Sequence, residues 1–192
     1  MSKEFNTLCV YCGASTAVAP EYTEEAYNVG CFLAKSNISL VYGGGNVGLM
    51  KAVADGCLEN NGHVTGVIPH KLQELELAHP KAQKMYVTQG MHERKALMAQ
   101  LSDGFIALPG GFGTLEELAE ITTWSQLNYH SKPVGLLNIL GYYEHLIQWT
   151  THAVNEQFIR PQHEGLIVHS DNIQELLDKM KRVVYPNLRT TL

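Results

Sequence analysis

Residues 104–122 read GFIALPGGFGTLEELAEIT. The run 105–108 is continuously apolar, as in a strand buried on both faces. Pro109-Gly110-Gly111-Phe112-Gly113 then breaks it, and an amphipathic helical spacing resumes from Thr114. Strand, glycine turn and helix in that order make up half of a strand–helix–strand unit of a parallel sheet. Working outward, the same alternation recurs. Strands are expected at 7–12, 39–42, 63–68, 84–88, 104–108, 133–138 and 166–168, and helices at 21–36, 47–61, 91–102, 114–129, 142–158 and 172–184. Residues 69–84 are the least regular stretch, with a short helix expected over 72–77.

This pattern predicts an α/β fold: one domain over 1–192, Rossmann-like and doubly wound, with a mostly parallel sheet and helices on both faces. The 192 residues fall short of the ~250 of an eight-unit barrel. With 45% hydrophobic residues the chain is too apolar to be disordered. Fourteen Lys and Arg against nineteen Asp and Glu leave a net charge of −5, which argues against a broad nucleic-acid surface. No apolar run approaches the ~20 residues of a membrane span, and the start MSKEFNTLCV has no export-signal pattern. Four cysteines in such a chain do not form a disulfide framework, so a cytoplasmic location is expected.

Three glycine loops follow expected strands. Cys12-Gly13-Ala14-Ser15 offers close backbone approach at Gly13 and a hydroxyl at Ser15. Gly43-Gly44-Gly45-Asn46-Val47-Gly48-Leu49-Met50 contains G-x-G-x-x-G, the dinucleotide fingerprint. The next strand, however, ends in Ile68-Pro69-His70, without an acidic residue to hold a ribose hydroxyl, which weakens a nicotinamide-cofactor reading. The third loop, at 109–114, presents backbone N–H groups and the Thr114 hydroxyl at a helix start, where the dipole favours an anion. It makes a monophosphate cradle, and it lacks the G-K-[ST] ending of an ATP-hydrolysing loop.

Charges stand in unusual places. On the helix from Met91, the residues Met91, Leu97, Met98 and Leu101 form an apolar stripe, and Arg94 falls on it. A core-facing guanidinium needs a partner, and Arg94 with Lys95 in a first helical turn opposes the dipole. Both point to an anion nearby, either a ligand or a structural ion-pair partner. Glu117 has two readings. It is a candidate carboxylate for chemistry, and it is also the fourth residue of T-x-x-E from Thr114, a capping box. Glu116 and Glu120, four apart, are compatible with a solvated helix face. Cys9-x-x-Cys12 has metal-pair spacing, but no second pair exists and an offset of three in a strand points the thiols to opposite faces. Trp124 and Trp149 read as core or interface residues, and His145 and His152 as surface or packing residues.

Together, Val41-Tyr42-Gly43-Gly44-Gly45 with Gly48-Leu49-Met50, Met91-His92-Glu93-Arg94-Lys95 and Pro109 to Glu117 closely resemble the Lonely Guy (LOG) family. The resemblance runs over residues 9–143 and fades in the last ~50, which are expected to be partner-facing or packing helices. It implies a Rossmann-like fold and a cytokinin riboside 5′-monophosphate phosphoribohydrolase. Such an enzyme hydrolyses AMP, N6-prenylated AMP or both to the free base and ribose 5-phosphate, with no metal or organic cofactor. It also implies a homodimer with sites near the interface. Arg94 and Glu117 match the family's catalytic positions. Glu76, Lys95, Gly111, Phe112, Gly113, Thr114, Leu115, Glu116 and Thr123 match nucleotide-contacting positions, and Gly13, Ser15, Gly44, Gly45 and Met50 are candidate further contacts. Phe112 stands where many relatives carry Tyr, which removes a hydroxyl. Departure of a base builds positive charge on ribose, which a carboxylate such as Glu117 stabilises, or it activates water. Arg94 then orients the phosphate or supports charge at the reacting end. The alternative reading is a nucleotide-binding module without turnover, a sensor or carrier. A lysine decarboxylase label also attaches to relatives, but no Schiff-base Lys with a pyridinium partner is legible.

Overall fold

The computed structural model describes residues 4–74 and 78–185. The elements run β1 (Thr7–Tyr11), α1 (Pro20–Lys35), β2 (Ser39–Tyr42), α2 (Gly48–Glu59), β3 (Val64–Pro69), α3 (His70–Gln73), β4 (Lys84–Thr88), α4 (Met91–Gln100), β5 (Gly104–Ala107), α5 (Phe112–Gln126), β6 (Val134–Leu137), α6 (Glu144–Asn155), β7 (Ile167–Ser170) and α7 (Ile173–Met180). Short 3-10 turns occupy Ile139–Gly141 and Pro161–Leu166. Every expected strand and long helix is present. Three boundaries differ. β7 continues to Ser170, α5 begins two residues early at Phe112, and the short helix occupies His70–Gln73, so the end of the expected 72–77 helix lies outside the described residues.

All seven strands pair in parallel, in the order β4-β3-β2-β1-β5-β6-β7. The period-two alternation of side chains divides the core between the two sheet faces. Leu8, Val10, Leu40, Tyr42, Val64, Ile106 and Leu108 pack with α1, α2 and α7. Cys9, Tyr11, Val41, Val67, Phe105, Ala107, Val134 and Leu136 pack with α4, α5 and Tyr143. Cys9 and Cys12 therefore belong to opposite layers, as their spacing implies.

Glycines bring α1 and α2 into close contact. A Cβ at Gly30 would stand 2.1 Å from the Val53 carbonyl oxygen, and one at Gly56 would stand 2.1 Å from that of Tyr27. Only backbone fits there. From β1 the chain winds outward through β2, β3 and β4, then returns to the other side of β1 with β5. The direction of winding reverses between β1 and β5, so their carboxyl ends open a crevice where such sheets bind ligands.

Candidate active site

A cavity of about 550 Å³ occupies that crevice. The turn after β1 contributes Cys12, Gly13, Ala14 and Ser15, and the turn after β5 contributes Pro109, Gly110 and Gly111. These turns are bonded together, because the Gly13 N–H donates to the Pro109 carbonyl at 3.0 Å and the Leu49 N–H to the Gly13 carbonyl at 3.0 Å. The start of α2 adds Leu49 and Met50, and α4 adds Met91 and Arg94.

The start of α5 is the anion-binding end. Its N-cap is Gly111, in extended backbone, and no side chain caps it. Gly113 and Thr114 follow on the cavity wall. The first-turn N–H groups of a helix have no intrahelical acceptor, so an uncapped start facing a cavity offers several donors and a positive dipole end to one anion.

The capping-box reading of Glu117 is overturned here. The helix begins at Phe112 rather than after Thr114, so Glu117 lies a turn too far inside to reach back to the cap. Its carboxylate turns to Arg94 instead, whose Nη1 donates to Oε1 at 3.0 Å, with both side chains 9% exposed. The guanidinium is fixed in two further directions: Nε donates to the Val67 carbonyl at 3.0 Å and Nη2 to the Gly43 carbonyl at 3.3 Å. Burial pushes the Glu117 carboxyl above its ordinary value, and Glu116 adds to this, while Arg94 and Lys95 oppose it without cancelling it.

The anion inferred beside Arg94 and Lys95 thus includes the protein's own carboxylates. Lys95 is buried, and its Nζ pairs with Glu116 and with Glu120, the latter at 3.0 Å. Burial pushes the ammonium pKa down, but the two carboxylates outweigh this and hold it above its usual value. Glu116 and Glu120 are therefore a clasp between α4 and α5, not a free solvated face.

Of the residues singled out in the sequence, Gly13, Ser15, Met50, Arg94, Gly111, Gly113, Thr114 and Glu117 meet at the cavity. Lys95 and Glu116 stand behind it in the clasp. Phe112 points outward at 93% exposure, because the residue after an N-cap that faces the cavity projects away from it. Leu115 and Thr123 line a separate groove of about 390 Å³ between α5, α6 and the Pro161–Leu166 turn. Gly44 and Gly45 support the site without lining it: a Cβ at Gly44 would meet Ile68 and Met85, and one at Gly45 would meet Met50. Glu76 lies outside the described residues.

Met91 corrects another expectation. It is 45% exposed at the cavity wall rather than part of the core stripe, because it begins its helix and overhangs the crevice. The sequence reading missed Tyr22, Tyr142 and Val18, which give the cavity an apolar, aromatic side. The Tyr22 and Tyr142 rings meet edge-on at 5.9 Å, and the Tyr142 hydroxyl donates to the Gly110 carbonyl at 2.7 Å. Tyr142 follows the carboxyl end of β6, where the general placement of ligands in parallel sheets would have pointed to it. Tyr22, on the first turns of α1, carries no local signal.

The family model described as "Possible lysine decarboxylase" matches residues 50–180. Cytokinin riboside 5′-monophosphate phosphoribohydrolase LOG1 of Arabidopsis thaliana is 44% identical over 184 residues, covering 96% of this chain and 86% of that one. LOG7 of the same plant is 46% identical over 177 residues, 92% of this chain and 82% of that one. The chain belongs to the Lonely Guy (LOG) family, whose curated members carry the phosphoribohydrolase name. Similarity extends well past residue 143, so the last helices are part of the family likeness and not a divergent tail. The fold is shared with the molybdenum cofactor binding protein of Rippkaea orientalis, at TM-score 0.69 and 22% identity over 94% of this chain and 98% of that one. It is shared likewise with the molybdenum cofactor carrier protein of Chlamydomonas reinhardtii, at TM-score 0.68 and 21% identity over 91% and 99%.

Proposed function

We propose that this chain is a cytokinin-activating phosphoribohydrolase that cleaves the N-glycosidic bond of AMP and N6-prenylated AMP, giving the free base and ribose 5-phosphate. The observation that carries this reading is the buried Arg94–Glu117 pair, set in the cavity beside the uncapped start of α5. The 5′-phosphate docks on the N–H groups at Gly111, Gly113 and Thr114 and fixes the ribose against Glu117. As the bond from C1′ to the base nitrogen breaks, the ionised Glu117 carboxylate stabilises the positive sugar or takes a proton from the incoming water. Arg94, with three donors committed to Glu117, Val67 and Gly43, keeps that carboxylate ionised and aimed. Tyr22, Tyr142, Val18 and Met50 face the base and its N6 substituent.

The protein works as a homodimer with its sites near the interface. Leu115 and Thr123 support this, since both match nucleotide-contacting positions of the family yet line the α5–α6 groove beside the half-exposed Trp149. All seven strands in one sheet support a single domain over 1–192. Among the described residues no helix is long and apolar enough to cross a membrane, and the four cysteines are free, which supports a cytoplasmic location.

The test is chromatography of protein incubated with AMP, N6-isopentenyl-AMP and adenosine. Base is expected from both monophosphates and not from adenosine, and Glu117→Gln is expected to cut turnover at least ~100-fold with the fold intact. Tight AMP binding without base release would replace this reading with the non-catalytic module.

A further inference from the structure

His79 lies outside the cavity wall, yet it is held with unusual completeness. Its side chain is 2% exposed, so both ring nitrogens need partners. Nδ1 accepts the Lys81 N–H at 3.2 Å, which leaves the proton of the neutral ring on Nε2, and Nε2 donates to Asp55 Oδ1 at 3.2 Å. Asp55 stands on α2 and pairs through its other oxygen with Lys51. Partial burial pushes the Asp55 carboxyl up, but the hydrogen bonds from Lys51 and His79 outweigh this and hold it below the usual range.

The backbone continues the brace into the site. The His79 N–H donates to the Gly44 carbonyl at 2.9 Å, and Ala78 pairs antiparallel with Gly45. One residue earlier, the Gly43 carbonyl accepts from Arg94 Nη2. Gly43-Gly44-Gly45 has no side chain with which to hold itself, and three successive glycines carry the largest backbone freedom a loop can have. Its position is set from outside, by the bonds at Gly44 and Gly45 to a segment that the His79 ring anchors to α2.

We propose that His79 is a positioning residue for the hydrolysis, acting through the Gly43-Gly44-Gly45 loop to fix the Arg94 guanidinium and, through it, Glu117. The proposal rests on the phosphoribohydrolase reading for its kinetic consequence and on the hydrogen-bond chain alone for its structural one.

Two measurements on the full chain test it: hydrogen exchange at Arg94 Nε by ¹⁵N NMR without any ligand, and kcat and KM for base release. His79→Ala is expected to speed Arg94 exchange at least ~10-fold and lower kcat about 10- to 100-fold, with KM moving less than about 3-fold because the phosphate cradle is untouched. His79→Gln, which keeps a side-chain N–H for Asp55, is expected to restore most of both. If His79→Ala does not fold, Asp55→Ala removes the ring's partner while leaving the backbone bonds at Gly44, and it must show the same effects more weakly. Arg94 exchange and kcat unchanged in the folded variant would overturn the proposal and leave His79 a stability element. If the wild type releases base from no monophosphate, the functional reading fails, while Arg94 exchange still decides what His79 does.

Discussion

Gly43→Ala separates stability from chemistry. An added Cβ would stand 2.2 Å from Arg94 Nη2 and 3.1 Å from the Met50 sulfur, whereas ordinary contact begins at 3.4 Å. The backbone of Gly43 is not in the left-handed region, so alanine itself is tolerated. What gives way is the far end of the Arg94 side chain, which must retreat by about 1 Å and lose its bond to the Gly43 carbonyl. Loss of one hydrogen bond to a charged group costs about 1–3 kcal/mol, or ~2–4 °C of Tm per kcal/mol at this chain length. A catalytic group displaced by about 1 Å loses on the order of 100-fold in rate. The expected outcome is a folded protein with slightly lower Tm, kcat down about 100-fold and KM nearly unchanged. Initial rates of base release and a thermal melt measure all three. Gly165→Ala is the matched control, since a Cβ there meets nothing within 4 Å. A folded Gly43→Ala variant with kcat within about 3-fold of wild type would refute the reasoning that Arg94 must sit where it does.

Because burial raises the Glu117 carboxyl and the working form is ionised, kcat should fall as pH drops through a value above the ~4.3 of an ordinary glutamate. Glu116→Gln removes a neighbouring negative charge and should move that limb to lower pH; a wild-type limb at or below the ordinary value would contradict the assignment. Gly56→Ala places a Cβ 2.1 Å from the Tyr27 carbonyl oxygen, where no flexible side chain can yield, and should destabilise by about 3 kcal/mol or more; an unaltered melt would show that the α1–α2 contact is looser than described. Leu140, 66% exposed at φ +52°, is strained for little packing in return, so Leu140→Gly should raise stability by about 1 kcal/mol, and an unchanged or lowered Tm would show that the strain is absent.

The fold was legible because each buried strand announces itself. Residues 105–108 are apolar without interruption because both faces of the sheet are covered, and glycine turns mark where the strands stop. The site was legible where backbone chemistry fixes residue type, as at Gly13, Gly111, Gly113 and Thr114, and where a charge violates a pattern, as at Arg94. Glu117 was ambiguous because T-x-x-E is also a helix-start signature; a two-residue shift in where α5 begins decided between the readings, and helix boundaries are the part of a sequence least fixed by local pattern. The Lys95 clasp was hidden because Glu116 and Glu120 at i, i+4 look like any solvated face until α4 is packed against them. Tyr22 and Tyr142 lie 120 positions apart and meet only through the winding of the sheet, and His79 is tied to the site by backbone bonds that carry no sequence signature.

The uncapped start of α5 has a consequence for the end of the catalytic cycle. A helix that keeps no Ser, Thr, Asp or Asn for its own first turn forgoes roughly 1 kcal/mol and is completed only by what docks there. The group that docks is the phosphate, which hydrolysis leaves untouched: substrate and ribose 5-phosphate satisfy the same N–H groups equally well. The free base departs, but the sugar phosphate keeps the grip that brought it in. The enzyme is therefore built to be inhibited by its own product and by inorganic phosphate, and the helix that recruits the substrate also holds back its turnover.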